Sequence, residues 1–451
     1  MYKRQDEHSA DAGVITRLEA FLDSLASAQG ACEKAKKVSF HTKRTIANGN
    51  HRKVYIPYMD DHGIALAAAM RYNGINAEAL PMADEKTVEI GCRYTSGKEC
   101  YPCILTTGDI VKKALSSDFD PDRSSFFMPT AMGPCRFGQY SRFHRLVLDD
   151  LGLTDVPIVL LDQTVNYEGH LSRLGNGFRR LGWQAVLVID YMKKLLLQTR
   201  PYEIHRGDCD SIYRECLDRL IGTIERQGAM GNGAAYAVQR FSSVAVSHAA
   251  HKPRIGLVGE IYVRSNQFSN NFIIRRIEEL GGEAIMPTMQ EWVTYTDWER
   301  RRDLQRDGSA LDYLKERLTQ SVQNYYVRKI RKPFEKSLSL FCHEASTDAL
   351  MHLSSPYLSE HVRGEANLSM GRAVEYARHG LHGIVNVIPF GCMPGTIVNA
   401  LLSRFSQDYP DIPVLKMVYD GTMQAGDQTR IEAFMYQALE AGASSSGSGR
   451  G

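Results

Sequence analysis

The sequence predicts an α/β protein built from two parallel-sheet units, and three observations carry this. Short apolar segments of strand length alternate with amphipathic helical ones along most of the 451 residues, the order that builds a parallel sheet covered by helices. Gly or Pro punctuates the junctions, as at Gly74, Pro81 and Gly281-Gly282. The pattern also starts twice, at Lys53 and again at Arg254. The length suits two or three domains.

Residues 1–50 read as a peripheral helix, with helical composition over Gly13–Lys37, followed by a basic polar linker. The opening MYKRQ has no structural logic and stands outside the fold reasoning. Residues 51–250 form the first unit. Strands are expected at Lys53–Pro57, Asn76–Leu80, Ser125–Met128 and Pro157–Leu161, with helices at Ile64–Asn73, Leu105–Leu115 and Gly138–Leu151. Gly169–Ser247 is a mostly helical extension with breaks near Tyr202–Asp208 and Gly228–Ala235. Trp183, Tyr191, Leu195 and Leu196 there read as core or partner surface.

Residues 251–440 form the second unit. Ile255–Val258 is a strand, GEIYVRSNQFSNN a loop, Phe272–Leu280 a helix and Glu283–Met286 a strand. After a long helical stretch come helix Leu368–Arg378, strand Gly383–Ile388, helix Gly395–Phe405, strand Pro413–Val418 and helix Gln428–Leu439. Residues 441–451 are a Gly/Ser tail expected to be disordered. Both units are therefore Rossmann-like or flavodoxin-like, with helical insertions.

Composition narrows the function. Lys plus Arg is 54 against 52 Asp plus Glu, so no charge excess argues for nucleic acid or an anionic membrane. No apolar run approaches transmembrane length. The N-terminus lacks the apolar core of a signal peptide, and the expected address is the cytoplasm. Nine cysteines are too few for a disulfide scaffold and odd in number.

Four cysteines share one setting. Cys100 and Cys103 lie in SGKECYPCILTTGD, Cys135 in MPTAMGPCRFGQY and Cys392 in NVIPFGCMPGT. Each is flanked by Gly or Pro in a turn after an expected strand or before an expected helix. Such carboxyl-end loops are where open α/β sheets bind ligands, and helix N-termini there offer N–H groups to anions. The CxxC alone fits a redox dithiol, half of a zinc site or a cluster corner. Scattered ligands from two units favour an iron–sulfur cluster; unconnected core cysteines remain the plain alternative. Cys32, Cys92, Cys209, Cys216 and Cys342 read as structural or incidental.

GKECYPCILTTGD, FFMPTAMGPCRFGQY, VGEIYVRSNQFSNN, RGEANLSMGR and VIPFGCMPG, in this order, resemble the C-terminal part of the large acyl-CoA dehydratase activase fusion proteins. These are related to the 2-hydroxyacyl-CoA dehydratase subunits and to double-cubane cluster proteins. The resemblance runs from about Lys53 to Ala438 and includes PVLKMVYDGTMQAGDQTRIEAFMYQAL. It implies a 4Fe–4S cluster between two Rossmann-like units, held by Cys135, Cys392 and Cys103, with Cys100 a fourth ligand or a neighbour. Four thiolates would close the cluster as an electron carrier, and three would leave one iron open. The resemblance further implies an ATP-dependent activator of the sugar-kinase and actin type, in trans or on a longer chain. That activator would inject a low-potential electron, which passes to an acyl-CoA or small-molecule acceptor. No ATPase signature occurs here, so the chain reads as the cluster-bearing part. A dimer is compatible with the family, and catalytic residues are not assigned.

The remaining candidates carry paired readings. Arg136 would hydrogen-bond a sulfide or a CoA phosphate, or form a surface ion pair. Glu260, Arg264 and Asn266 in GEIYVRSN stand where such a unit binds a ligand or cofactor. Asp60, Asp61 and His62 in YMDDHG would contact substrate or the cluster rim, or supply a helix N-cap. Lys98 and Glu99 would tune the cluster's charge or stand as solvated turn residues. Glu365 is a capping residue. Two other functions stay open: a non-catalytic electron-transfer or scaffold partner of the activase, and a zinc-stabilised binding protein.

Overall fold

The protein is described by a computed structural model. It covers residues 52–447 apart from 132, 163–174, 228–229, 231, 248–251 and 423–425, together with Glu19 and Leu22. Cys32 and most of residues 1–50 lie outside the described residues. The chain divides into Met1–Arg44 and Thr45–Gly451, and every element below belongs to the second unit.

The first sheet contains β1 (Lys53–Ile56), β2 (Ala77–Ala79), β3 (Ser124–Thr130) and β4 (Ile158–Asp162), all parallel, in the order β2-β1-β3-β4. Its crossovers carry α1 (His62–Tyr72), α2 (Glu85–Arg93), α3 (Tyr101–Ala114) and α4 (Tyr140–Asp150). A helical extension follows: α5 (Gly175–Thr199), α6 (Asp208–Gln227) and α7 (Gly233–Ser242).

The second sheet contains β5 (Arg254–Gly259), β6 (Glu283–Ile285), β7 (Gly383–Pro389) and β8 (Val414–Tyr419), again all parallel, in the order β6-β5-β7-β8. Its helices are α8 (Ile261–Ser265), α9 (Ile273–Glu279), α10 (Met289–Asp307), α11 (Ala310–Arg331), α12 (Thr347–Ser354), α13 (Ala366–Arg378), α14 (Met393–Asp408) and α15 (Asp427–Gly447). All seven residues of β7 are buried, as expected of a parallel strand covered on both faces.

Both sheets repeat one winding, so each reverses direction between its first and third strands. Ligand crevices in such sheets lie outside the carboxyl ends at that reversal. Here those are the segments after β1, β3, β5 and β7.

Several sequence expectations need correction. No element was expected around Cys92, and the stretch is helical: Asp84 accepts Thr87 N–H at 2.8 Å in a capping box that starts α2. The segment after β5 is not all loop, because Glu260 caps the short α8. α15 runs to Gly447, into the stretch read as a tail. The boundary near residue 250 divides the sheets but not the cores. Ile330, Phe334, Leu338 and Cys342 pack with the first sheet's helices, and Tyr101, Ile104 and Leu105 pack with the second. Among the described residues no helix is long and apolar enough to cross a membrane.

The loop after β1 is spent on a buried charge network. Asp61 sits at the N-cap position of α1 but makes no capping bond. Its carboxylate accepts the hydroxyls of Tyr58 and Tyr213, each at 2.8 Å. Asp60 is buried, pairs with Lys193 and lies 3.2 Å from His62 Nδ1. Burial opposes the charge of Asp60, but Lys193 and His62 outweigh it and hold the carboxyl well below its usual range. His62 Nε2 reaches Asp190 on α5 at 3.0 Å. Asp190 in turn accepts the N–H groups of Met289 at 3.0 Å and Gln290 at 2.9 Å, pinning the start of α10.

This network makes stability fall as pH rises. Burial disfavours the charged imidazole, yet Asp190 and Asp60 raise its pKa from 6.5 to about 9. The contribution is fully present below pH 6.5 and is lost as pH climbs through about 9, on the order of 3 kcal/mol in all. Unfolding measured across that window should show the loss in the wild type. His62→Gln should be weaker at the low end and should lose most of the slope, keeping the part that Glu365, raised to about 8, contributes below that pH. A slope as steep in His62→Gln as in the wild type would contradict the assignment to His62.

Candidate metal centre

Three of the four candidate cysteines stand at helix starts. Cys100 is the N-cap residue of α3, with Pro102 in the first turn. Cys135 begins the 3-10 turn Arg136–Gln139 that leads into α4. Cys392 is the N-cap of α14, with Pro394 in its first turn. None of the three makes a side-chain capping bond, so each sulfur is left for another partner. Cys103 lies in the first turn of α3 and is buried, as are Cys100 and Cys392, while Cys135 is half-buried.

Two glycines shape the second sheet's side of this region. Gly391, at φ 69°, turns the chain from β7 into Cys392. Gly259, at φ 120°, lets β5 press on β7, where a Cβ would stand 2.1 Å from Val387 O.

Arg136 ties the cysteine segments together. Its guanidinium donates to the carbonyls of Lys98, two residues before Cys100, and of Gly391, beside Cys392. One side chain from the Cys135 segment thus holds a loop from each sheet. Beyond the effect of burial, a thiolate at Cys100 would raise the pKa of Cys103 and Cys135, and one at Cys135 that of Cys392. Tyr140, buried on α4, puts its hydroxyl 2.5 Å from Cys100 Sγ.

Two carboxyls border the thiols, and a buried cation stands beside the carboxyls. Glu260 accepts N–H from Tyr262 at 3.1 Å and Val263 at 2.9 Å, and Glu365 accepts Ile261 N–H at 3.1 Å. Desolvation raises the Glu260 pKa against these bonds. Desolvation and the charge of Glu260 raise Glu365 to about 8, so its carboxyl holds a proton at neutral pH. Arg264 is buried and reaches Gly259 O at 3.5 Å and Glu291 at 4.0 Å, and its Nε has no hydrogen-bond partner among the described residues.

Burial pushes the Cys135 thiol up to about 12, with Glu365 and Glu260 adding to it. Burial likewise lifts Cys100, Cys103 and Cys392. Thiols in this setting stay protonated unless a strong Lewis acid takes the proton's place.

The residues fit an anionic cluster. The donors are soft sulfurs at the starts of α3 and α14, whose free N–H groups favour negative charge. Among the described residues no three His, Cys, Asp or Glu side chains are grouped as ligands of a single ion. A cubane spreads its cysteines around a body of irons and sulfides, so its ligands need not meet as those of one ion do.

Some expected residues have other work. The Asn266 amide donates to Tyr58 O at 3.1 Å and accepts Ser269 N–H at 3.0 Å, joining the loops after β1 and β5. Glu99 accepts from Ser96 and Lys98 N–H within its own turn. Glu365 makes no cap bond to its own helix. Cys209, Cys216 and Cys342 are core residues, and Cys92 is exposed. Sequence reasoning missed Tyr140 as a sulfur's partner, although it ends the Cys135 motif. It also missed the acidity change at Glu365, which depends on burial beside a residue 105 positions away. No family model matches the chain, and no curated protein matches it.

Proposed function

We propose that this chain is a 4Fe–4S protein of the 2-hydroxyacyl-CoA dehydratase and activase type. The observation that supports the reading is the clamp of Arg136, beside Cys135, on Lys98 O and Gly391 O, which ties the segment before Cys100 to the one before Cys392. On this reading Cys135, Cys392 and Cys103 hold the cluster, with Cys100 a fourth ligand or a neighbour. When bound, the cluster supplies one-electron chemistry at low potential, and an open iron if only three cysteines bind.

The chain's own residues shape that chemistry. Toward a Cys100 thiolate the Tyr140 hydroxyl, 2.5 Å away, would be the donor, and Arg136 is the cation whose charge acts on Cys100 and Cys103. Hydrogen bonds and positive charge of this kind favour the reduced, more negative state. Glu365 holds a proton beside the site. The electron would come from an ATP-dependent activator of the sugar-kinase and actin type, in trans or on a longer chain. Its acceptor would be an acyl-CoA or another small molecule, and the address cytoplasmic.

Replacement of the cysteines tests the reading. Cys135→Ala and Cys392→Ala, purified without oxygen, should lose their iron while the wild type keeps it. Full iron in both variants would sink the assignment.

A further inference from the structure

A cleft of about 580 Å³ opens outside the carboxyl ends of β1 and β2, and none of the four cysteines lines it. Its size is that of a small-molecule site. The apolar lining is Leu80, Pro81 and Met82, which follow β2, with Ile64 on α1 and Leu217 on α6. Tyr58 and Tyr213 add two aromatic rings. Asp61 fixes both, because its carboxylate takes their hydroxyls. Rings held in this way lose little freedom when a flat ligand lies against them.

The polar groups of the cleft suit an uncharged ligand. Its two cations, Arg71 and Arg214, balance its two carboxylates, Asp61 and Glu78. Arg71 is already held by Glu225 at 2.7 Å, and Glu78 pairs with Lys53 through Oε2. The other oxygen of Glu78 and the side-chain amide of Gln267 make no hydrogen bond among the described residues. Glu78 lies on β2 opposite Tyr55 of β1. In doubly wound folds a carboxylate about 20 residues beyond the first strand accepts the ribose hydroxyls of a bound nucleoside, and Glu78 holds that place. The start of α1 is closed to a phosphate, because Asp60 and Asp61 put two carboxylates there.

We propose that this cleft binds a purine nucleoside with free ribose hydroxyls. The apolar lining and the two clamped tyrosines take the base, and Glu78 accepts the ribose hydroxyls. Gln267 meets the base edge, which needs a group that both donates and accepts. The reading of the cysteine site does not depend on this cleft.

The test is a calorimetric titration of the full chain with adenosine. The wild type should bind one adenosine per chain, and 2′-deoxyadenosine about ten-fold more weakly, since one hydrogen bond to a charged group is lost. Glu78→Ala, at a half-exposed side chain, should keep the wild-type circular dichroism and bind the two nucleosides equally. Met82→Asp, at an exposed position, should weaken adenosine about ten-fold or more by placing a charge in the apolar lining. A wild type that binds no adenosine up to the limit of its solubility overturns the proposal. So does a wild type that binds 2′-deoxyadenosine as tightly as adenosine. A preference that survives in Glu78→Ala, or an affinity that Met82→Asp leaves unchanged, overturns it as well.

Discussion

Cys135→Ala and Cys392→Ala should each give a folded protein without a cluster. Neither sulfur makes a capping hydrogen bond, so loss of the side chain removes no local bond. The expected cost at a helix start without a cap bond is under about 1 kcal/mol. The effect on iron should be near complete, because these two residues are the sole candidate ligands from their segments. Cys92→Ala on the exposed face of α2 and Cys216→Ala in the core should keep wild-type iron and serve as controls. The CxxC pair resolves the ligand number: if three cysteines bind, Cys103→Ala loses the cluster and Cys100→Ala retains it. Equal loss in both would mean four.

Arg372→Met should be the most damaging change outside the cysteines. Arg372 is almost fully buried, at 1% exposure, among three carboxylates. It donates to Glu291 at 2.7 Å, Glu344 at 2.8 Å and Glu375 at 2.5 Å. Removing one partner of a buried ion cluster strands the others and costs about 3–5 kcal/mol. Among the described residues only Lys194, 2.5 Å from Glu344, and Arg264, 4.0 Å from Glu291, remain to balance them. Burial opposes the charge of Glu344, but Lys194 and Arg372 hold its pKa down to about 2 from 4.5. That stabilisation is present above pH 4.5 and lost as pH falls toward 2. Without Arg372 the stranded carboxylates take up protons at higher pH. The variant's deficit in a urea titration should therefore be larger at neutral pH than near pH 4.5. A deficit under about 1 kcal/mol at neutral pH would contradict the account.

The alternation of strands and helices was legible in sequence because parallel strands buried on both faces are continuous apolar runs. Val54, Tyr55 and Ile56 show this, as do Ile384–Ile388. The cysteine segments were legible from their Gly and Pro neighbours, which turn the chain at strand ends, as Gly391 does. Asp60 and Asp61 were not. A capping residue and a buried ion-pair partner look alike before the partners are known, and Lys193 and Asp190 lie more than 120 residues away. The short α8 escaped for a related reason. Five residues show no helical period, and the turn depends on Glu260 accepting two N–H groups.

The most direct measurement is iron and acid-labile sulfide per chain in protein purified without oxygen. About four of each per chain is the result this account predicts. One zinc and no iron would contradict it, and would make the four cysteines a structural site.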